Sequence, residues 1–222
     1  MVVQFHLRTN STAAHPAIFL KLEIPAREFG GYIFDCDGTL ADNMPLHYRA
    51  WSLAMADFGG QYPEELFYEW GGRPTAHIVA ALNERFGLSM DVEAVVHRKE
   101  DYYFQLIPEV APMEEVVEFA RSLRGKSPLA VASGGHRALV IATLRALGIE
   151  DWFDAVVCAE DYDRGKPHPD PFLLAAKLLG VPPGDCVVFE DSPTGIEAAK
   201  SAGMAWVFVT SPNHHGKTSA QA

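Results

Sequence analysis

The chain has 222 residues, a net charge of −11 at pH 7, 48% hydrophobic residues and three cysteines. That length allows one large or two small domains with a real core. The acidic balance excludes a broad nucleic-acid surface but leaves room for one anionic small molecule in a local positive pocket. Cys36, Cys158 and Cys186 lack any paired short spacing, which argues against a disulfide scaffold or a zinc knuckle, and no apolar run reaches membrane-spanning length. The expectation is a soluble cytoplasmic protein without a membrane partner.

Residues 1–28 read as an N-terminal extension, with a loop at Asn10-Ser11-Thr12, a candidate strand at Ile18–Leu22 and no evident chemistry. Gly30-Gly31 leads into Tyr32-Ile33-Phe34, a short apolar run that stops at Asp35, with Asp37 two residues on and Gly38-Thr39 turning the chain. Alternation in extended backbone aims Asp35 and Asp37 one way and Cys36 the other.

From Met44 the period changes. Met44, His47, Trp51, Met55 and Phe58 recur at helical spacing until Gly59-Gly60. A short helix after Pro63, a third from Pro74 to Gly87 and a long fourth, capped by Ser89 or Asp91 and running to about Ile107, complete an all-helical block over 44–111.

Pro112 restarts an alternating pattern. Helices are expected over 114–123, 137–147, 171–179 and 195–201, with strands over 128–132, 155–158, 186–189 and 205–209. Short continuous apolar strands alternating with helices predict an α/β fold, a Rossmann-like parallel sheet covered on both faces. The core is then 29–43 plus 112–210, with 44–111 inserted as an all-helical cap and 211–222 as a tail. In that tail His214-His215 reads as solvated rather than metal-binding. An insert leaving from the carboxyl end of a strand lies over the crevice where open α/β sheets bind ligands.

The polar residues gather at the strand ends. Ser133 and the backbone N–H groups that follow it, from Gly134 onward, can hold an anion or simply cap a helix. Lys166 stands between Gly165 and Pro167, either aimed inward or solvated in its loop, and Glu190-Asp191 end the strand at 186. If these ends converge, Asp35, Asp37, Glu190 and Asp191 meet Ser133 and Lys166. Buried carboxylates need a compensating cation, and an all-oxygen acidic site suits magnesium. Such a set fits phosphoryl transfer. Asp35 would attack phosphorus, and Asp37 would protonate the leaving oxygen and then activate water.

Asp35-Cys36-Asp37-Gly38-Thr39-Leu40, Ser133, Gly165-Lys166-Pro167 and Glu190-Asp191-Ser192 resemble, in order, the four motifs of the haloacid dehalogenase-like hydrolases. Gly195-Ile196-Glu197-Ala198-Ala199 and Ala202-Gly203-Met204 extend the likeness, and the cap position resembles the β-phosphoglucomutase-like branch. The resemblance implies a magnesium-dependent phosphatase of small metabolites, in particular sugar phosphates; a monomer is expected. Asp35 is then the nucleophile and Asp37 the acid/base, with Ser133 and Lys166 on phosphate. Asp35, the backbone carbonyl of Asp37, and Asp191 would hold magnesium, with Glu190 beside them. In the cap region the pattern falls on Asn43, His47, Arg73 and Lys99 as substrate contacts. Three of these also have a plain reading: His47 as a core histidine, Arg73 as a solvated arginine, Lys99 as part of the wet helix face His97–Asp101. The mutase pattern has a second serine where this chain has Gly135, which favours hydrolysis over a sugar phosphomutase. A non-catalytic phosphometabolite-binding protein is the third possibility, disfavoured because binding alone does not need both Asp35 and Asp37.

Overall fold

The computed structural model describes residues 2–4, 22–71 and 73–210. The expected loop at 10–12, His214-His215 and all but Leu22 of the expected strand at 18–22 lie outside the described residues. The N-terminal strands are β1 (Val2–Gln4) and β2 (Glu23–Pro25), an antiparallel pair.

The central sheet contains β3 (Gly31–Phe34), β6 (Leu129–Ala132), β7 (Ala155–Val157), β8 (Cys186–Glu190) and β9 (Ala205–Phe208), all parallel, in the order β7-β6-β3-β8-β9. Every residue of β3, β6 and β8 is buried, which is why these strands are continuously apolar. Tyr32, Phe34, Leu129, Val131, Val187 and Phe189 face one core, shared with helix α5 (Glu114–Leu123) and helix α6 (Arg137–Ala146). Ile33, Ala130, Ala132, Cys186 and Val188 face the other, closed by helix α7 (Asp170–Leu179) and helix α8 (Pro193–Ser201). Phe34 stacks on Phe189 across the β3–β8 pair, with ring centroids 4.7 Å apart.

The chain steps from β3 to β6 to β7 in one direction, then crosses back to place β8 on the other side of β3. The carboxyl ends of β3 and β8 therefore flank the point where the winding reverses, the usual ligand crevice of an open α/β sheet.

Four helices lie between β3 and α5: α1 (Met44–Asp57), α2 (Glu64–Glu69), α3 (Thr75–Phe86) and α4 (Val92–Leu106). Asp91 caps α4, its carboxylate accepting from the Ala94 N–H at 2.9 Å, as one of the two expected caps. The four helices share their own core, with Trp51, Met55, Leu66, Phe67, Val79, Leu82 and Val95 buried together. They form the cap. Two strands that the sequence pattern misses, β4 (Ala41–Asp42) and β5 (Ala111–Pro112), pair antiparallel where the chain enters and leaves this insert. A smaller apolar contact seats the cap on the sheet domain, with Ala50, Tyr103, Leu106 and Ile107 packed against Leu139 and Ala142 of α6. Among the described residues no helix is long and apolar enough to cross a membrane.

Candidate active site

The strand β3 continues for one more ladder bond, Asp35 N–H to Phe189 O at 3.0 Å, and then turns sharply. The Cys36 carbonyl accepts from the N–H groups of Thr39, Leu40 and Ala41, and Gly38 takes φ +78°, a left-handed conformation suited to glycine. A Cβ at Gly38 would lie 2.1 Å from Asp191 Oδ2, so glycine also lets this turn approach the loop after β8. Cys36 joins the core on the side of Phe34, as alternation predicts, leaving the two aspartates off that face. Burial, then the charges of Asp37 and Asp35, push its thiol well above the ordinary range.

Asp35 is 6% exposed and its Oδ1 accepts from Lys166 Nζ at 2.6 Å. The same ammonium donates to Glu190 Oε1 at 2.8 Å and lies 5.0 Å from the centre of the buried Phe172 ring. Lys166 is therefore aimed inward. Burial alone would depress its pKa, but the Asp35 and Glu190 carboxylates outweigh burial and hold it above the ordinary range. Burial raises Asp35 to about 7 against the pull of Lys166, and burial with the charges of Glu190 and Asp35 raises Asp191 well above the ordinary carboxylate range. Carboxylate oxygens of Asp35, Glu190 and Asp191 can all be chosen within 4.8 Å of one another. Three carboxylates around one ammonium leave uncompensated negative charge. An oxygen-only donor set of this kind fits a hard divalent cation.

Glu190 is the most constrained member. Its Oε2 accepts from Ser192 N–H at 2.6 Å and Ser192 Oγ at 2.9 Å, while Ser192 Oγ also caps α8 through Gly195 N–H at 3.1 Å. A Cβ at Gly195 would fall 1.8 Å from Glu190 Oε1. Glycine-to-alanine changes within helices ordinarily stabilise by up to about 1 kcal/mol. Here Gly195→Ala is expected to destabilise by about 3 kcal/mol, because overpacking displaces a buried, fully bonded carboxylate. Urea unfolding measures the change, and an unchanged midpoint would mean that Glu190 can yield freely.

Asp37 turns to other partners. Its Oδ1 accepts from Asn43 Nδ2 at 2.6 Å and lies 3.3 Å from His47 Nε2. His47 Nδ1 lies 3.1 Å from Lys99 Nζ. An ammonium can only donate, so Nδ1 carries the lone pair and Nε2–H donates to Asp37. Burial and the Lys99 charge lower the His47 pKa, in keeping with a neutral ring. Burial would raise Asp37, but His47, Asn43 and Lys99 together hold it below the usual carboxylate range. With Oδ1 occupied, the second oxygen of Asp37 faces the loop after β6: a Cβ built at Gly135 would lie 3.7 Å from Oδ2 and 3.4 Å from Ser133 Oγ. Ser133 is 1% exposed, its Oγ accepts from Gly135 N–H at 3.1 Å, and Tyr162 Oη donates to its carbonyl at 3.0 Å.

The structure thus brings together Asp35, Lys166, Glu190 and Asp191, and beside them Asp37, Asn43, His47, Lys99 and the Ser133–Gly135 loop. Gly134 is exposed on that loop. Lys99, in the charged run that reads as a wet helix face, is 7% exposed with its ammonium on His47. Arg73 is not gathered in: it is exposed, its guanidinium 4.9 Å from the centre of the Trp70 ring. Sequence reasoning missed Tyr103, Thr143, Tyr162, Ser192 and Gly195 as parts of this network. Ser192 and Gly195 stand in the motifs that begin at Glu190, and Tyr103 lies one helical turn after Lys99.

The sequence pattern of the haloacid dehalogenase-like hydrolases matches residues 29–203. The chain belongs to this family. As a haloacid dehalogenase-like hydrolase it is 40% identical over 177 residues to the fructose-1-phosphate phosphatase YqaB of Escherichia coli, covering 79% of this chain and 94% of that one. It is 35% identical to a phosphorylated carbohydrates phosphatase of Thermotoga maritima over 79% of this chain and 82% of the relative. The crystal structure of CbbY from Rhodobacter sphaeroides in complex with phosphate superposes with a TM-score of 0.74 at 27% identity, covering 80% of this chain and 84% of CbbY. Phosphatases and a β-phosphoglucomutase are both similar to this hydrolase, so likeness alone singles out neither branch.

Proposed function

We propose that this chain is a magnesium-dependent phosphatase of small phosphorylated metabolites, with sugar phosphates as the substrate class. The observation that carries the proposal is the Lys166 ammonium shared by Asp35 and Glu190 beside the crowded carboxylates, with a separately held Asp37 next to them. Sugar phosphates as substrates are further supported by what the two phosphatase relatives are named for.

In the proposed reaction a carboxylate oxygen of Asp35 bonds to phosphorus as the bond from phosphorus to the substrate oxygen breaks. Asp37, ionised at rest, takes a proton from the bound monoanionic ester and delivers it to that departing oxygen. Water then gives a proton back to Asp37 and attacks phosphorus, releasing inorganic phosphate and restoring the Asp35 carboxylate. Ser133, the Gly134 N–H and Lys166 bind the phosphoryl oxygens. Asp35, the Asp37 backbone carbonyl and Asp191, with Glu190 beside them, would hold magnesium, which when bound would neutralise charge on the phosphoryl group. Gly135 lacks the hydroxyl that a reorienting sugar bisphosphate would use, which favours hydrolysis over return of the phosphoryl group to a sugar. The cap is proposed to close about the β4–β5 pair over residues 41–42 and 111–112, excluding bulk water during the first step.

Parallel time courses of inorganic phosphate and isomerised sugar phosphate, with and without catalytic sugar bisphosphate, test the reading. Phosphate release that is abolished by a chelator and restored by magnesium is expected. Isomerisation outrunning release by orders of magnitude would instead make the chain a phosphomutase.

Arg73, exposed on the cap, is proposed to grip the remote part of the substrate on closure. Arg73→Ala should then lower kcat/KM for a sugar phosphate about tenfold or more while sparing p-nitrophenyl phosphate, which makes few remote contacts. Equal losses on both substrates would remove Arg73 from this role.

A further inference from the structure

The groups that hold Asp37 all meet one side chain, that of Tyr103. Tyr103 sits on α4 one turn beyond Lys99 and is 1% exposed. Its ring stacks on His47, with centroids 3.8 Å apart and planes 9° from parallel, and Lys99 Nζ lies 5.3 Å from the ring centre. Its hydroxyl oxygen lies 2.5 Å from Asn43 Nδ2 and 3.1 Å from Thr143 Oγ1. Thr143 belongs to α6 of the sheet domain and is itself 1% exposed.

The donor directions follow from the partners. Asn43 Oδ1 accepts from Gly38 N–H at 3.2 Å, which fixes the amide the other way round for its second atom. The two Nδ2 hydrogens then go to the short contacts, Asp37 Oδ1 and Tyr103 Oη. Tyr103 Oη accepts from Asn43, so its own proton is free for Thr143 Oγ1. A continuous hydrogen-bonded path results, from Asn43 through Tyr103 to Thr143, anchoring the residue that grips Asp37 to both the cap and the sheet domain. The same tyrosine supports the second grip through its face, by setting the plane of His47.

We infer that Tyr103 is the positioning residue through which cap placement sets the aim of Asp37, with Thr143 as its fixed anchor on the sheet domain. This rests on the acid/base reading of Asp37. When the cap sits as described, the Tyr103 hydroxyl bridges hinge, cap and α6, and Asp37 Oδ1 is held so that Oδ2 alone is left toward the Ser133–Gly135 loop. Separation of α4 from α6 breaks the Tyr103–Thr143 bond and loosens Asn43. Proton delivery by Asp37 is thereby tied to this placement of the cap on α6. Buried polar groups joined in this way act as a unit and are costly to leave half satisfied.

The test compares kcat/KM for an alkyl phosphate, which needs its leaving oxygen protonated, with that for p-nitrophenyl phosphate, which does not. Tyr103→Phe keeps the stacking on His47 and removes the hydroxyl. It is expected to lower the alkyl-to-aryl ratio about tenfold, the effect of one buried hydrogen bond in a reacting network. Thr143→Val should lower the ratio in the same direction by about threefold, Thr143→Ser should restore it, and the double variant should match Tyr103→Phe alone. A merely structural role would lower both substrates together and leave the ratio flat. Asp37→Asn serves as the reference. If it collapses the ratio while Tyr103→Phe and Thr143→Val leave theirs unchanged, the inference is overturned and the acid/base reading stands. If Asp37→Asn also leaves the ratio flat, the acid/base reading fails and the inference falls with it. Should Tyr103→Phe prove unstable, the Thr143→Val and Thr143→Ser pair decides by the same ratio.

Discussion

Asp35→Asn is expected to abolish turnover, by at least about 10⁴-fold, on every phosphate ester regardless of leaving group. An amide oxygen is a poor nucleophile and a weaker ligand for a cation, so bond formation to phosphorus and charge neutralisation are lost together. Folding should survive the change. Asp35 is 6% exposed, and burial has already raised its carboxyl to about 7, so a neutral isostere relieves crowding among Asp35, Glu190 and Asp191. Lys166 keeps its 2.8 Å contact with Glu190. Steady-state kinetics beside a thermal unfolding curve separate the two effects. An unaltered melting temperature with no phosphate release supports the nucleophile assignment, whereas retention of a tenth of the activity would end it.

Asp37→Asn should behave differently. The asparagine oxygen can still accept from Asn43 and His47, so the side chain stays where the aspartate was. What disappears is the ionisable oxygen, the one nearest Gly135, that takes up and delivers the proton. Alkyl phosphates should lose about 10³-fold in kcat, within the range that general acid–base groups contribute. With p-nitrophenyl phosphate the first step needs no proton, while hydrolysis of the aspartyl phosphate still needs a base. Rapid mixing should therefore show a burst of nitrophenol equal to the enzyme concentration, followed by a stall. The absence of any burst, with alkyl and aryl substrates reduced alike, would remove Asp37 from proton transfer.

Both predictions concern residues that could be read directly from the chain, and the reason is local. Asp35 and Asp37 end an apolar run that has no reason to be apolar unless it is buried on both faces, and β3 is buried throughout. The same logic located β6, β8 and the helices of the sheet domain, and helical spacing located the four helices of the cap. Lys166 was legible only as one of two possibilities, since a loop lysine bracketed by glycine and proline can as well be solvated. Its ion pair with Asp35 spans 131 residues, and nothing local reports on it.

Sequence alone thus determined the layers, the inserted helices and the acidic strand ends, because burial imprints a period on residues close together in the chain. The tertiary structure decided which carboxylate each cation serves. It sent Lys166 to Asp35 and Glu190, and Lys99 through His47 to Asp37, while leaving Arg73 exposed over Trp70. It alone revealed β4 and β5, two-residue strands too short to carry any alternation. It alone gave Tyr103 a role beyond filling a helix face, because its hydroxyl partners lie 60 and 40 residues away. Such contacts depend on how whole helices dock, and docking is set by packing between faces rather than by the order of neighbouring residues.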